Sequence, residues 1–232
     1  MPNHNRYSRL LKPFPFQLIV FLLPLIVYHK TVHLSPVEIS AWSGTPTNSD
    51  FYFYYRMVFL LGLTVLSLLL FISGVLKKEV SIRQNVVYYP LGVFVFFVIL
   101  SAVFADHQEI AHFGFMDSYE GMWTLLSYAL LFFIAFNTID TEEKIKHILK
   151  FLLFSALIIA VIGVFQLWGW NFFASGFGRF LTIPAGMDYR YISLYNAHAV
   201  FSTFSNSNYL GCYLTLIFPM FFVLFTGLKN SF

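Results

Sequence analysis

The chain has 232 residues, of which 58% are hydrophobic, 21% are Phe, Trp or Tyr and only 11% are charged, against roughly a quarter charged in an ordinary soluble domain. So little polar surface cannot coat a water-soluble globule, and the composition reads as that of an integral membrane protein. The net charge of +3 is small and dispersed, which argues against nucleic acid as a partner, and the single cysteine, Cys212, excludes a disulfide framework or a cysteine metal site within one chain.

A hydrocarbon core about 30 Å thick is crossed by roughly 20 mostly apolar helical residues. About six stretches of this kind follow one another, at residues 14–28, 57–76, 86–104, 121–136, 151–168 and 209–228. An open sheet would leave its edge groups unpaired in lipid, and the alternation of a barrel strand is missing. The predicted fold is therefore all-α: a polytopic membrane helical bundle in which one transmembrane domain covers residues 1–232. Arg6, Arg9 and Lys12 before the first stretch resemble the start of a secretory signal. No small-x-small cleavage site follows, so the stretch reads as an uncleaved anchor.

Orientation follows from the basic residues, which collect on the cytoplasmic side. Arg6, Arg9, Lys12, Lys77, Lys78, Arg83, Lys144, Lys146, Lys150 and Lys229 fall on one side of the alternating segments; Lys30, Arg56, Arg179 and Arg190 fall on the other. Both termini are thereby predicted to be cytoplasmic. Aromatic residues mark the outer interface: residues 51–55, Trp123, Trp168, Trp170 and Tyr209. The predicted segment interiors hold no ionisable side chain, which weakens a transporter or channel reading. Gln17 and Gln166, near segment ends, are their strongest polar intrusions, and Pro24 and Pro219 are predicted to kink their helices. Any chemistry then belongs at a membrane face.

Two outer connections carry polar residues. Residues 105–120 hold His107, Glu109 and His112 among further carboxylates, but histidines five apart lie about 140° apart around a helix, a poor metal site; a solvated acidic loop is expected. Residues 171–208 hold Arg179, Asp188, Arg190, His198 and a Ser/Thr/Asn cluster directly before the last segment. Arginine suits phosphate because its planar fork binds two oxygens and stays charged. The Ser and Asn residues either cap the helix or hold a phosphate oxygen. Tyr189, Tyr191 and Tyr195 are equally suited to stacking on a sugar or resting at the interface.

Tyr119-Glu120-Gly121-Met122-Trp123-Thr124-Leu125-Leu126-Ser127-Tyr128 resembles the Tyr-Glu-Gly helix start common in bacterial O-antigen ligase and polymerase-like membrane proteins. Phe201-Ser202-Thr203-Phe204-Ser205-Asn206-Ser207-Asn208-Tyr209-Leu210-Gly211-Cys212-Tyr213-Leu214, with the later Phe218-Pro219, is similar to that family's Gly-Thr-Phe-x-Asn-Pro-Asn-x-x-Gly-x-Tyr-Leu signature and its Leu-Pro. The resemblance implies a metal-independent glycosyltransferase of helical-bundle type, GT-C-like, without a cofactor. Its partners would be membrane lipid and a glycan on undecaprenyl diphosphate, passed to a sugar, lipid or protein acceptor at the outer face of the bacterial cytoplasmic membrane.

On this resemblance Arg190 and His198 are expected to be catalytic, as diphosphate donor and base. Arg179, Glu120, Thr203, Asn206 and Asn208 are expected to contact or position the substrate. The chain departs from the family pattern in having Ser118 and Ala199 where arginine is common, and Ser202 and Ser207 where the signature has Gly and Pro. The family's large outer loop with catalytic Arg and His has no counterpart in these residues. The expectation is thus an N-terminal portion, completed by further sequence or by a second chain. The alternatives are a non-catalytic fragment, pseudoenzyme or assembly partner, and, ranked last, a lipid or polysaccharide transporter.

Overall fold

The computed structural model describes residues 13–40, 46–187 and 199–229. The described chain is predominantly α-helical, with one two-stranded hairpin. Pro13 and Pro15 lead into α1 (Phe14–Leu22), where fixed φ angles suit a helix's first turn. The helix tightens into a 3-10 turn at Leu23–Leu25 and leaves it extended at Ile26. Strands β1 (Lys30–His33) and β2 (Thr47–Asp50) pair antiparallel, with Lys30 opposite Asp50 and His33 opposite Thr47. Between them Ser35 and Glu38 form a reciprocal cap on the short turn α2 (Pro36–Glu38).

The carboxylate of Asp50 gathers the N–H groups of Tyr52, Phe53 and Tyr54 at 2.6–3.0 Å. These are orphan donors of the start of α3 (Tyr54–Leu76), and the positive end of the helix favours the negative charge there. There follow α4 (Tyr88–Val103), α5 (Gln108–Phe113), α6 (Met122–Thr138), α7 (Glu142–Leu167), a 3-10 turn at Phe172–Ala174, α8 (Gly176–Thr182) and α9 (Ser207–Lys229). With 23 and 26 residues, α3 and α7 are the two helices of the described chain that are long and apolar enough to cross a membrane. At 1.5 Å per residue they reach about 35 and 39 Å. Residues 14–25, α4 and α6 are shorter apolar helices.

The long helices form a row in which α7 packs on α1, α1 on α3, α3 on α6 and α6 on α4. Phe16, Leu60, Phe71, Leu131 and Ile134 fill its centre. Four hydroxyls inside the row are satisfied within their own helices: Thr64, Ser67, Ser127 and Thr138 each donate to the carbonyl one turn back. The hairpin, α5, α8 and the starts of α3, α6 and α9 gather at one end. The opposite end holds the basic connections, where buried Asn137 accepts from the Arg83 N–H and the Tyr88 hydroxyl. Beside it Lys144 lies 2.6 Å from Asp140 and Arg83 3.9 Å. Partial burial raises the Asp140 pKa, but the Lys144 hydrogen bond and charge outweigh it and hold the carboxyl below its ordinary value.

One expectation needs correction. Residues 105–120 are more than a solvated loop: they contain α5 and bury Met116 and Tyr119 against Leu34 and Met57. The helix that holds the fifth predicted segment starts earlier, at Glu142, because Thr141 accepts from the Lys144 N–H and two glutamates occupy the first turn, extending the helix through a charged stretch.

Candidate functional site

The carbonyls of a helix's last turn have no intrahelical partner. In the 3-10 turn that continues α1, and at the extended residue after it, two such carbonyls are met by Arg56, in the first turn of α3: its Nε donates to the Ile26 carbonyl at 3.1 Å and its Nη2 to the Pro24 carbonyl at 3.2 Å. Nη2 also donates to the Thr203 carbonyl at 2.6 Å, while the Thr203 hydroxyl donates to the Pro24 carbonyl at 2.6 Å. The Phe204 ring faces the guanidinium carbon at 5.2 Å, a cation–π arrangement. Among the described residues, Nε and Nη2 take these three acceptors and Nη1 has none.

The turn carrying Thr203 is itself anchored. Gln166 in α7 accepts the N–H groups of Phe201 and Ser202 at 3.0 and 2.7 Å with its side-chain oxygen. Ser202 has φ +52°, the left-handed region, and its fully buried hydroxyl donates to the Ile159 carbonyl at 2.7 Å. A few residues on, the Asn206 side-chain oxygen accepts the N–H groups of Asn208 and Tyr209, capping α9. Ser207 is the first residue of that helix, the position proline favours.

The other motif is shaped by close backbone approach. A Cβ on Gly121 would lie 2.5 Å from the carbonyl of His112 and against the Gly114 nitrogen, so only glycine fits. Tyr119 has φ +50°, and the Thr124 hydroxyl donates to its carbonyl at 2.6 Å. This turn points Ser118 and Glu120 at the space beside Arg56. A cavity of about 490 Å³ results, lined by Arg56, Ser118, Glu120, Thr124, Tyr128, Phe204 and Tyr209, with an apolar floor of Ile19, Leu23, Leu60 and Leu131 reaching down between α1, α3 and α6. Volume and lining match those of small-molecule sites: mostly apolar, with a few convergent polar groups.

Of the residues singled out from sequence, Glu120 lines this cavity, while Thr203 stands behind it and holds Arg56 through its carbonyl. Asn206 serves as the helix cap, with Asn208 in the first turn beyond it. Arg179 lies in α8 and lines none of the described cavities. Arg190 and His198, with Asp188, Tyr189, Tyr191 and Tyr195, lie outside the described residues. His107 precedes α5, and the His112 ring nitrogen Nδ1 lies 2.6 Å from the Gln108 carbonyl. No group of His, Cys, Asp and Glu suited to a metal occurs among the described residues.

Arg56 and Gln166 are the residues that sequence reasoning undervalued. Arg56 was visible as a cation on the basic-poor side, directly after the aromatic run 51–55. Compared with protein-family models, with curated proteins and with solved structures, the chain matches none of them.

Proposed function

We propose that this chain belongs to a multi-pass membrane protein of O-antigen ligase or polymerase type, with about six crossings, both termini cytoplasmic, and a glycan-transfer site at the hairpin end. One observation carries the reading. The two motifs, more than seventy residues apart, meet around one cavity beside a partly buried arginine. The orientation draws support from the segregation of the Lys- and Arg-rich connections at the opposite end. Lipid contact draws support from α4, where Ala102 is the buried residue and Val93, Phe94, Phe96 and Phe97 are exposed.

In this reading the apolar floor takes the first part of a polyprenyl chain, and Arg56 Nη1, with Arg190, donates to the diphosphate. The acceptor hydroxyl oxygen bonds to the sugar's anomeric carbon as that carbon's bond to the phosphate oxygen breaks. Glu120 holds the acceptor hydroxyl and His198 receives its proton, while the arginines stabilise the charge on the departing diphosphate. A non-catalytic assembly partner is the second reading, favoured by the structural bonds that Arg56 already makes to three carbonyls.

Transfer from a lipid-linked glycan, measured with the full-length natural protein in liposomes, separates the two. Arg56→Ala is expected to lower transfer by about 10²- to 10³-fold, the typical worth of one donor to a developing charge, and Arg190→Ala to lower it more than Arg179→Ala. Arg56→Lys keeps the charge and tests whether the planar fork is needed. Transfer at the wild-type rate in both Arg56→Ala and Arg190→Ala rejects the assignment.

A further inference from the structure

Tyr119 is 7% exposed, and its hydroxyl has no hydrogen-bond partner among the described residues. Buried hydroxyls are nearly always paired, and an unpaired one destabilises a fold that phenylalanine would satisfy. Tyr119 lines a second cavity of about 400 Å³, on the other side of the 118–120 peptide from Arg56. Met57 lines both spaces, so one side chain and one strained peptide divide them. The polar wall of the second cavity comes from Lys30 and His33 of β1, Glu38 of α2 and Glu109 of α5, with Tyr54 completing it. The Lys30 ammonium sits 5.0 Å over the Tyr54 ring, and Tyr54 meets Tyr119 edge-on at 5.7 Å.

The chemistry of this wall selects its ligand. Burial, and the nearby charges of Asp50 and Glu38, push the Tyr119 phenol up, so at neutral pH it is a donor. Glu38 and Glu109 are acceptors, Lys30 is a donor, and two carboxylates against one ammonium disfavour an anion. Donors, acceptors and aromatic walls in one small space suit a ring bearing several hydroxyls. We propose that this cavity binds a neutral sugar residue. Its role as the acceptor subsite next to the diphosphate cavity rests on the transferase reading; the sugar binding itself does not.

The test uses the detergent-solubilised chain and saturation-transfer NMR with a mixture of N-acetylglucosamine, galactose and rhamnose, and separately with inorganic pyrophosphate. At least one sugar is expected to take up saturation from the wild-type protein. Binding is expected to weaken by about fivefold in Tyr119→Phe, the worth of one net hydrogen bond, and to weaken also in Glu109→Gln, whose exposed side chain leaves folding undisturbed. Thermal unfolding of Tyr119→Phe is expected to be unchanged or raised. No sugar signal, or a signal that both variants leave untouched, overturns the proposal. Sugar binding with no pyrophosphate binding sustains this site and counts against the diphosphate cavity; pyrophosphate binding alone does the reverse.

Discussion

Ser202 has a φ of +52°, a backbone region that favours glycine, the residue at this place in the signature that the stretch resembles. A non-glycine residue in this region carries strain of order 1 kcal/mol, offset here by the hydroxyl's bond to the Ile159 carbonyl and the Gln166 clamp on the Ser202 N–H. Ser202→Gly trades one for the other, relieving strain and losing a hydrogen bond of about 1 kcal/mol. Ser202→Ala keeps the strain and loses the bond. Thermal unfolding in detergent is expected to leave the Gly variant near the wild type and the Ala variant lower by about 1–2 kcal/mol; an Ala variant as stable as the Gly variant would refute this account. Side-chain identity was legible at 201–208, including the possibility that Asn206 caps a helix. Backbone sign was not, because nothing in a serine announces a positive φ.

Helix starts, more than helix interiors, decide what the site looks like. The predicted segments found the apolar bodies of α3, α4, α6 and α9, since lipid-like runs are readable residue by residue. They missed the charged first turns of α7, where Thr141, Glu142 and Glu143 continue the helix by capping and dipole rather than by hydrophobicity. They also missed how residues 105–120 fold back, because that depends on contact between backbones brought together only in three dimensions. Gly121 and Gly114 embody this contact. Gly121→Ala places a methyl inside the His112 backbone, and the expected loss is about 1–3 kcal/mol, the usual cost of overpacking. Gly92→Ala, inside α4 with nothing within 4 Å of the added Cβ, is expected to gain about 0.5–1 kcal/mol from helix propensity alone. Thermal unfolding of the two variants side by side gives the check, and equal shifts would mean that the 112–121 crossing is looser than described.

At the scale of the molecule, polarity is distributed by end as well as by depth. Asp50, Glu109, Asp117 and Glu120 lie with the hairpin, while Lys77, Lys78, Arg83, Lys144 and Lys146 lie at the other pole. Between the poles α4 leaves Phe96 and Phe97 each 59% exposed and α9 leaves Leu216 and Phe218 each 71% exposed. Surface of that kind, contiguous along whole helices, needs lipid or another chain to cover it. If lipid covers it, the positive pole is expected to face the cytosol. Replacing Cys212 by Ser and adding one cysteine at a time gives a direct measurement with an impermeant maleimide on intact cells. Asp106→Cys, at the exposed approach to α5, is expected to label without permeabilisation, and Glu143→Cys, in the exposed first turn of α7, only after it. Labelling with the opposite pattern would invert the molecule and put the Arg56 cavity beyond the reach of any outer-face glycan. Labelling of both sites in intact cells would remove the barrier between the poles, and with it the reason for reading the exposed helices as lipid-facing.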